Sequence, residues 1–221
     1  MEKIVIFGNG KIAQIIYHFV KNTFDVVAFT VDRAFLKEDV LENLPVIAFD
    51  EIEKHFAPND YKMLIAVGYI GMNSVREKKY GEAKAKGYSF VNYIDSSVVW
   101  HSNVTIGENN IILDHASVQP FAKIGNSNII WSGAVVAHGC NVEDNCWITS
   151  GVTIAGDSTI KSNCFLGINA TIGHNITIER ENFIGANVLI SRNTKEKEVF
   201  ISKDGEKFRL DSLRFLQFAG V

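Results

Sequence analysis

The chain has 221 residues, of which 47% are hydrophobic and 21% charged, so it can bury a real core and is neither disordered nor collagen-like. Its 22 Lys and Arg residues against 25 Asp and Glu give a net charge of -3, which offers no broad basic surface to a nucleic acid or an anionic membrane. No apolar stretch approaches the roughly 20 residues that cross a bilayer, and the opening MEKIVIFGNG reads as a strand and not as an export signal. We expect a cytoplasmic protein whose partner is a small molecule or another protein.

The chain opens with a strand, a glycine turn and a helix. The run KIVIF is a buried-strand pattern, the turn Gly8-Asn9-Gly10-Lys11 follows it, and an amphipathic stretch continues to about residue 21. At a helix N-terminus, the free N–H groups of Gly10 and Lys11 suit a phosphate or a sugar hydroxyl. A second strand ends at Asp32, about twenty residues beyond the turn, where a dinucleotide fold places the acid that binds ribose. Alternatively, Gly8 and Gly10 only allow the chain to turn, and Asp32 is a solvated acid at a strand end.

Further alternation of strands and helices completes this first unit. The pattern predicts strands over 44–49, 64–67 and 88–93 and a helix over 73–86. About ninety residues hold one mononucleotide half of a doubly wound sheet, not a complete dinucleotide-binding domain, so a nicotinamide dehydrogenase is not expected. We predict a Rossmann-like α/β half domain over residues 1–94.

The second half of the chain carries a six-residue repeat. Fifteen successive positions in steps of six are all Ile, Val or Leu: Ile106, Ile112, Val118, Ile124, Ile130, Val136, Val142, Ile148, Ile154, Ile160, Leu166, Ile172, Ile178, Ile184 and Ile190. A period of six suits short strands joined by corners, with one bulky side chain on each wall of a prism. Three walls make a coil of eighteen residues, and such coils stack about 4.8 Å apart as parallel strands. We predict about five coils of a parallel β-helix over residues 95–192.

All three cysteines lie in the register of small residues two positions before the bulky ones. Cys140, Cys146 and Cys164 therefore read as packing residues inside a narrow coil. A disulfide framework is not expected from an odd, sparse count in a cytosolic chain.

The repeat resembles that of the hexapeptide-repeat acyltransferases, whose domain is a left-handed parallel β-helix and whose chains usually form trimers. The pairing of both units is similar to the bacterial sugar acyltransferases of the sialic-acid O-acetyltransferase and UDP-4-amino-sugar N-acetyltransferase group. The resemblance is carried by the opening IVIFGNG and by three segments of the repeat, SGAVVAHGC (132–140), GVTIAG (151–156) and NCFLGIN (163–169). It implies that the first unit holds a nucleotide-linked sugar and that acetyl-CoA lies along the outside of the β-helix.

The resemblance also assigns site residues. It makes His138 the general base, and an imidazole suits that role because it can accept a proton from the attacking acceptor and pass it to the departing thiolate. It places Gly156 and Ile168 along the acetyl-CoA track, and the Gly156 N–H is a candidate donor to the oxyanion. The family's acidic residue after the base is absent here, so we predict that Asp157, one coil beyond Gly139, orients the ring; the alternative is a polar corner residue.

Three further residues are candidates for binding. Trp131 and Trp147 stand near the expected pocket, where aromatic faces suit a deoxy-sugar or a base, and interface packing is the alternative. His174 lies two coils beyond His138, about 10 Å away by coil spacing, and is a candidate acetyl-CoA contact. The histidines form no compact metal-ligand pattern, so we predict no catalytic metal.

The tail over residues 193–221 leaves the repeat, and we expect it to cap the open end of the β-helix or to dock as an arm on a neighbour. The leading hypothesis is an acetyl-CoA-dependent N-acetyltransferase that acts, as a homotrimer, on a nucleotide-linked amino-deoxy sugar for a surface glycan. The alternatives are a sugar O-acetyltransferase of the sialic-acid type, a non-catalytic ligand-binding trimer, and transfer of an acyl group other than acetyl.

Overall fold

The structure is a computed structural model that describes residues 1–219, and its first unit is a five-stranded sheet with helices. Its elements are β1 (Lys3–Phe7), α1 (Lys11–Val20), β2 (Asp25–Val31), a 3-10 turn (Arg33–Phe35), β3 (Val40–Leu41), β4 (Leu44–Ala48), α2 (Ile52–His55), β5 (Lys62–Ile65) and α3 (Ser74–Ala85). The sheet order is β3-β4-β2-β1-β5, and all neighbouring strands are parallel except the β3–β4 hairpin.

One strand predicted for this unit is wrong. Residues 88–93 do not form a strand of the sheet; only Phe90 makes a parallel bridge, to Met63. The segment leaves the sheet because it crosses to the second unit, whose first strand is β6 (Tyr93–Ile94). The apolar pattern of the segment reflects burial against both units, since its pairing with β5 is limited to the backbone hydrogen bonds around Met63.

The second unit is a parallel β-helix of eighteen two-residue strands in three walls. The first wall contains β6, β9 (Ile111–Ile112), β12 (Ile129–Ile130), β15 (Trp147–Ile148), β18 (Phe165–Leu166), β21 (Phe183–Ile184) and β23 (Val199–Phe200). The second wall contains β7 (Val99–Trp100), β10 (Ser117–Val118), β13 (Val135–Val136), β16 (Thr153–Ile154), β19 (Thr171–Ile172) and β22 (Leu189–Ile190). The third wall contains β8 (Thr105–Ile106), β11 (Lys123–Ile124), β14 (Asn141–Val142), β17 (Thr159–Ile160) and β20 (Thr177–Ile178).

The coil length is eighteen residues, as the pairing of Ser117 with Val135 and of Val135 with Thr153 shows. The repeat's bulky residues from Ile112 to Ile190 line the buried interior of the coils, together with the three free cysteines, which are fully buried. The predicted packing role of the cysteines is confirmed. The first coil also contains Ile94 and Trp100, which precede the aliphatic register that starts at Ile106.

Side chains at the corners tie successive coils together. Asn110 accepts hydrogen bonds from the backbone and the side-chain amide of Asn128, at 3.0 and 3.1 Å, and donates its own backbone N–H to Asn92 at 2.8 Å. Asn128 accepts in turn from the backbone N–H of Cys146 at 2.8 Å. Each coil thus satisfies polar backbone groups of the next, which a buried corner requires.

The outer face of the first wall packs against the first unit. Ile111, Ile129, Trp147 and Phe165 share one buried cluster with residues of β1 and α1. Phe165 and Phe183 stack in this row with ring centroids 4.6 Å apart and planes 4° apart. This wall is consequently apolar on both faces, and the two units share a continuous interface.

Beyond β23 the chain forms an arm. Residues 201–219 are exposed except for the half-buried Leu210, and they include helix α4 (Ser212–Ala219). Phe208 packs edge-on against Phe215, with centroids 5.2 Å apart. The tail over residues 193–221 was expected either to cap the β-helix or to form an arm. In the structure, β23 extends the first wall, and the residues after it form an arm. Residues 220 and 221 lie outside the described part. Within residues 1–219, none of the helices has the length and apolar character of a membrane span.

Candidate functional site: a nucleotide-type cleft and a histidine edge

A cleft of about 750 Å³ lies at the carboxyl ends of β1, β2 and β5. Gly8, Gly10, Lys11 and Asp32, the four binding residues predicted for this unit, all line it. Gly8 has a φ of +129°, and a Cβ there would lie 2.8 Å from the Ala66 carbonyl oxygen, so only glycine fits this turn. The carboxyl edge of parallel strands is where α/β sheets bind ligands.

Asp32 does not stand alone in the cleft. The Lys79 ammonium, whose side chain is only 9% exposed, donates to Asp32 at 2.7 Å and to Glu82 at 2.6 Å. Burial lowers the pKa of Lys79, but the hydrogen bonds to the two carboxylates outweigh it and leave that pKa raised. Lys79 also lines the cleft, and sequence reasoning missed it because it stands beside Lys78 in an ordinary charged helix.

The cleft has an apolar rim. Phe35, Tyr69 and Ile70 line the cleft and are 60%, 50% and 66% exposed. Tyr69 also contacts Trp147 and Phe165 of the first wall, with centroids 5.4 and 4.7 Å apart. The rim therefore touches the β-helix on its first wall.

His138 lies on a different part of the molecule, at the edge between the second and third walls. It follows β13 and precedes β14, and its side chain is exposed. Its backbone is fixed by neighbouring coils: the N–H donates to Gln119 Oε1 at 3.2 Å, and the carbonyl accepts from the Asp157 N–H at 2.9 Å. The ring lies over Gly156, with Nε2 2.6 Å from the point that a Cβ on Gly156 would occupy. Glycine at 156 thus makes room for the imidazole.

Asp157 is one coil beyond Gly139, as the spacing indicates. In residues 1–219, no hydrogen bond or ion pair joins the His138 ring to a carboxylate. The Asp157 carboxylate instead covers Gly139, with Cγ 3.3 Å from the position of a Cβ on that glycine. Asn169 covers Gly151 in the same manner, with Cγ at 3.4 Å. Both Asp157 and Asn169 have positive φ, at 59° and 56°, so they are equivalent corner residues of the coil.

The three residues predicted to contact acetyl-CoA do not share one edge. Gly156 and His174 stand in the same column as His138, and His174 is exposed. Ile168, 54% exposed, lies instead at the edge between the first and second walls. The second wall separates the two edges within one chain.

The two predicted tryptophans belong to the packing between the units. Trp147 is only 3% exposed, contacts Trp131 at 5.6 Å between centroids and lies 5.6 Å from the Arg76 guanidinium. A side chain buried to this extent packs the interface and has no face for a ligand, so its prediction as a substrate contact is corrected. Trp131 is half-buried, and its Nε1 has no hydrogen-bond partner in the described residues. The hexapeptide period indicates that both side chains point outward but not which wall the first unit covers.

Comparison with known proteins agrees with this architecture. The family described as bacterial transferase hexapeptide (six repeats) matches residues 103–138 and 157–192. None of the curated proteins matches the sequence.

Three solved structures are similar over most of the chain. The acetyltransferase domain of PglB from Neisseria gonorrhoeae FA1090 is 20% identical, with a TM-score of 0.81 over 90% of this chain and 96% of that one, and it has also been solved with acetyl coenzyme A. A histidine-to-asparagine mutant of perosamine N-acetyltransferase from Caulobacter crescentus, in complex with CoA and GDP-perosamine, is 25% identical, with a TM-score of 0.81 over 90% and 93% of the chains. WeeI from Acinetobacter baumannii AYE is 18% identical, with a TM-score of 0.77 over 90% and 94%.

These similarities confirm the predicted fold class, a Rossmann-like half domain followed by a left-handed parallel β-helix. The ligands named for the neighbours, acetyl coenzyme A and CoA, agree with the donor predicted from the sequence. The resemblance seen in the sequence, to the bacterial hexapeptide-repeat sugar acyltransferases, is thus confirmed by the family match over the repeat and by the similarity to solved acetyltransferases.

Proposed function

We propose that this acyltransferase transfers acetyl from acetyl-CoA to the amine of a nucleotide-linked amino-deoxy sugar destined for a surface glycan, with His138 as general base. The observation that carries the proposal is the exposed His138 ring seated over Gly156, on the outside of a β-helix whose companion unit holds a cleft of about 750 Å³. Support comes from the Caulobacter crescentus enzyme, whose histidine mutant binds CoA and GDP-perosamine.

The chemistry assigned to His138 is a proton transfer. As the acceptor amine attacks the thioester carbonyl, a C–N bond forms, the C–S bond breaks, and the amine proton passes through the imidazole to the departing thiolate. The oxyanion needs a donor, and the Gly156 N–H beside the ring is our candidate. Asp157 is proposed to support the imidazolium through water, since no direct bond joins it to the ring.

The cleft and the histidine point to a site assembled from more than one copy. The cleft touches the first wall through Tyr69, whereas His138 stands at the edge between the other two walls. A sugar held by the nucleotide cleft of one chain is therefore on the wrong side of the prism for the same chain's histidine. In the proposed homotrimer, the cleft of one copy serves His138 of the next, and Ile168 and Gly156 from different copies border one acetyl-CoA track.

The test is thiol release from acetyl-CoA with a panel of UDP-, dTDP- and GDP-linked amino-deoxy sugars and free sialic acid. We expect turnover with an amino-sugar nucleotide and a fall of roughly 10²–10⁴-fold in His138→Asn. His55→Asn is the matched control, because His55 is exposed at the end of α2 and lines neither the cleft nor an edge of the β-helix.

The outcomes separate the alternatives. An N-acetyl product located by NMR supports the proposal, whereas an O-acetyl product would replace it with the sialic-acid type of activity. Ligand binding without thiol release in a folded oligomer would favour the non-catalytic trimer. Equal activity of His138→Asn and wild type would remove the histidine from the mechanism.

A further inference from the structure

Helix α3 buries an arginine against the β-helix. Arg76 is fully buried, and its guanidinium donates to three carbonyl oxygens of successive coils: Ser127 at 3.0 Å, Asn145 at 2.7 Å and Cys146 at 3.1 Å. It also donates to Asn73 Oδ1 at 2.9 Å. One side chain of the first unit therefore binds two coils of the second.

The charge of Arg76 is not paired. None of the carboxylates in residues 1–219 lies within 4.0 Å of the guanidinium, and burial lowers the pKa of Arg76 to about 10. Burying a cation without a counter-ion is costly. The hydrogen bonds offset part of this cost, because the rigid guanidinium donates N–H groups to several carbonyl oxygens at once.

Asn73 repeats the arrangement one coil further on. Its side-chain amide donates to the carbonyls of Asn163 at 3.2 Å and Cys164 at 3.1 Å. The side-chain amide of Asn163 donates a hydrogen bond to the Glu77 carboxylate at 2.8 Å. Ser127, Asn145 and Asn163 are spaced by eighteen residues and have φ of 57°, 60° and 64°, so they form one column of left-handed corners. Arg76 and Asn73 together bind this column over three coils, and we call the pair the corner clamp.

The corner clamp also reaches the cleft. Arg76 donates to the Val67 carbonyl at 3.4 Å, and residues 67–71 line the cleft. The connection from this loop into α3 passes through Gly71, Met72 and Asn73, all with positive φ of 60°, 51° and 66°. The loop that forms one side of the cleft is thus fixed directly to the β-helix.

We propose that Arg76 and Asn73 are positioning residues for acyl transfer: the corner clamp fixes the cleft relative to the β-helix of its own chain, whose walls pack in the proposed homotrimer, and thereby sets where a bound acceptor meets His138 of the next copy. The inference rests on the proposed function for its catalytic consequence. Misplacing reacting groups by about 1 Å costs on the order of 10²-fold in rate, so a loosened clamp reduces kcat without changing the chemistry at His138.

The kinetic test uses Arg76→Lys, which keeps the charge but loses the fork, and Asn73→Asp, which accepts from Arg76 but cannot donate to Asn163 and Cys164. We expect kcat for the nucleotide-linked amino sugar to fall roughly 10–100-fold in Arg76→Lys and less in Asn73→Asp. The KM for acetyl-CoA and turnover of the nucleotide-free amino sugar, which the cleft does not hold, should stay within about twofold of wild type. Arg180→Met is the control, since Arg180 contacts Glu77 across the same interface at 4.0 Å but is exposed.

Wild-type kcat in the folded variants would overturn the proposal, and so would an equal fall for the nucleotide-free sugar, which would indicate general structural damage.

A distance measurement tests the clamp without any turnover. Spin labels at Lys78→Cys on α3 and Lys123→Cys on the third wall, in oligomers assembled with an excess of unlabelled wild-type chain, should give one narrow distance distribution that either clamp variant broadens. The native cysteines are fully buried and stay unlabelled. An unchanged distribution would refute the clamp, whereas an inactive wild type would refute only the proposed function.

Discussion

The two units of this molecule use parallel strands in opposite ways. In the first unit, strands of up to seven residues run into loops and helices, and the loops after β1, β2 and β5 diverge to leave a cleft. In the β-helix, two-residue strands repeat every six residues, and the interior is filled by one stack of side chains. The loops that connect the strands of the sheet to its helices thus border a concave site, whereas a closed coil exposes only its outer walls and edges to a ligand. In the proposed function, recognition and chemistry are accordingly divided between the units, and the interface that joins them becomes part of the site.

The largest expected effect comes from breaking that interface. Trp147→Ala removes a nearly buried ring from the row that packs on the first unit, and we expect a loss of about 3–5 kcal/mol in the free energy of unfolding. Chemical denaturation measures it, and the first unit should then unfold before the β-helix. Phe121→Ala, at a ring 68% exposed, is the control. A loss below about 1 kcal/mol would mean that the units are stable independently of their contact.

A second change acts on chemistry and leaves the fold intact. In Gly156→Ala the new Cβ would lie 2.6 Å from His138 Nε2, so the ring must leave its place, and we expect roughly a 10²-fold fall in turnover. The melting temperature should be unchanged, because position 156 does not require a positive φ. Gly81→Ala, where a Cβ meets nothing within 4 Å, is the control. Full activity in Gly156→Ala would show that the ring's position over Gly156 is not the reactive one.

The corresponding glycine of the cleft should behave differently. Gly8→Ala forces a side chain into a φ of +129° and towards the Ala66 carbonyl, at a cost of about 1–3 kcal/mol. Nucleotide-sugar affinity, measured by calorimetry, should fall, while the KM for acetyl-CoA should not change. Parallel loss of both would contradict the division of labour between the units.

The smallest effect concerns the corner residue near the base. Asn169 already occupies the equivalent corner over Gly151, so Asp157→Asn should fold normally. We expect turnover to fall about tenfold, well below the roughly 10⁴-fold that follows loss of a directly bonded carboxylate. The melting temperature should stay at the wild-type value, which separates loss of support for the base from misfolding. Wild-type turnover would leave Asp157 as a corner residue alone.

The sequence predicted the repetitive half more completely than the interface. The period of six assigned the inward residues from Ile112 to Ile190, since each coil imposes the same packing demand. The aliphatic register does not extend back to the first coil, because Trp100 interrupts it. The strand over 88–93 was predicted wrongly, because burial between two units resembles burial in a sheet.

The residues of the candidate site were also predicted only in part. Gly8, Gly10 and Lys11 come together because a strand–turn–helix pattern is local in the chain, and Asp32 joins them because β1 and β2 are parallel and end at the same edge. The role of Arg76 could not be predicted, since nothing local distinguishes it from Lys78. The covering of Trp147 by the first unit could not be predicted either, since a period states which side chains point outward but not what covers them.

The amide ladder of Asn92, Asn110 and Asn128 has a consequence for how such a chain can change its length. Each asparagine of the ladder stands eighteen residues from the next, so a deletion or duplication of eighteen residues preserves the asparagine-to-asparagine hydrogen bonds and the order of the walls. A change of six would keep the aliphatic residues inside but turn all downstream walls by one face, away from their partners. Homologues of different size should therefore differ by whole coils, and a fusion or truncation of this protein should be cut in units of eighteen.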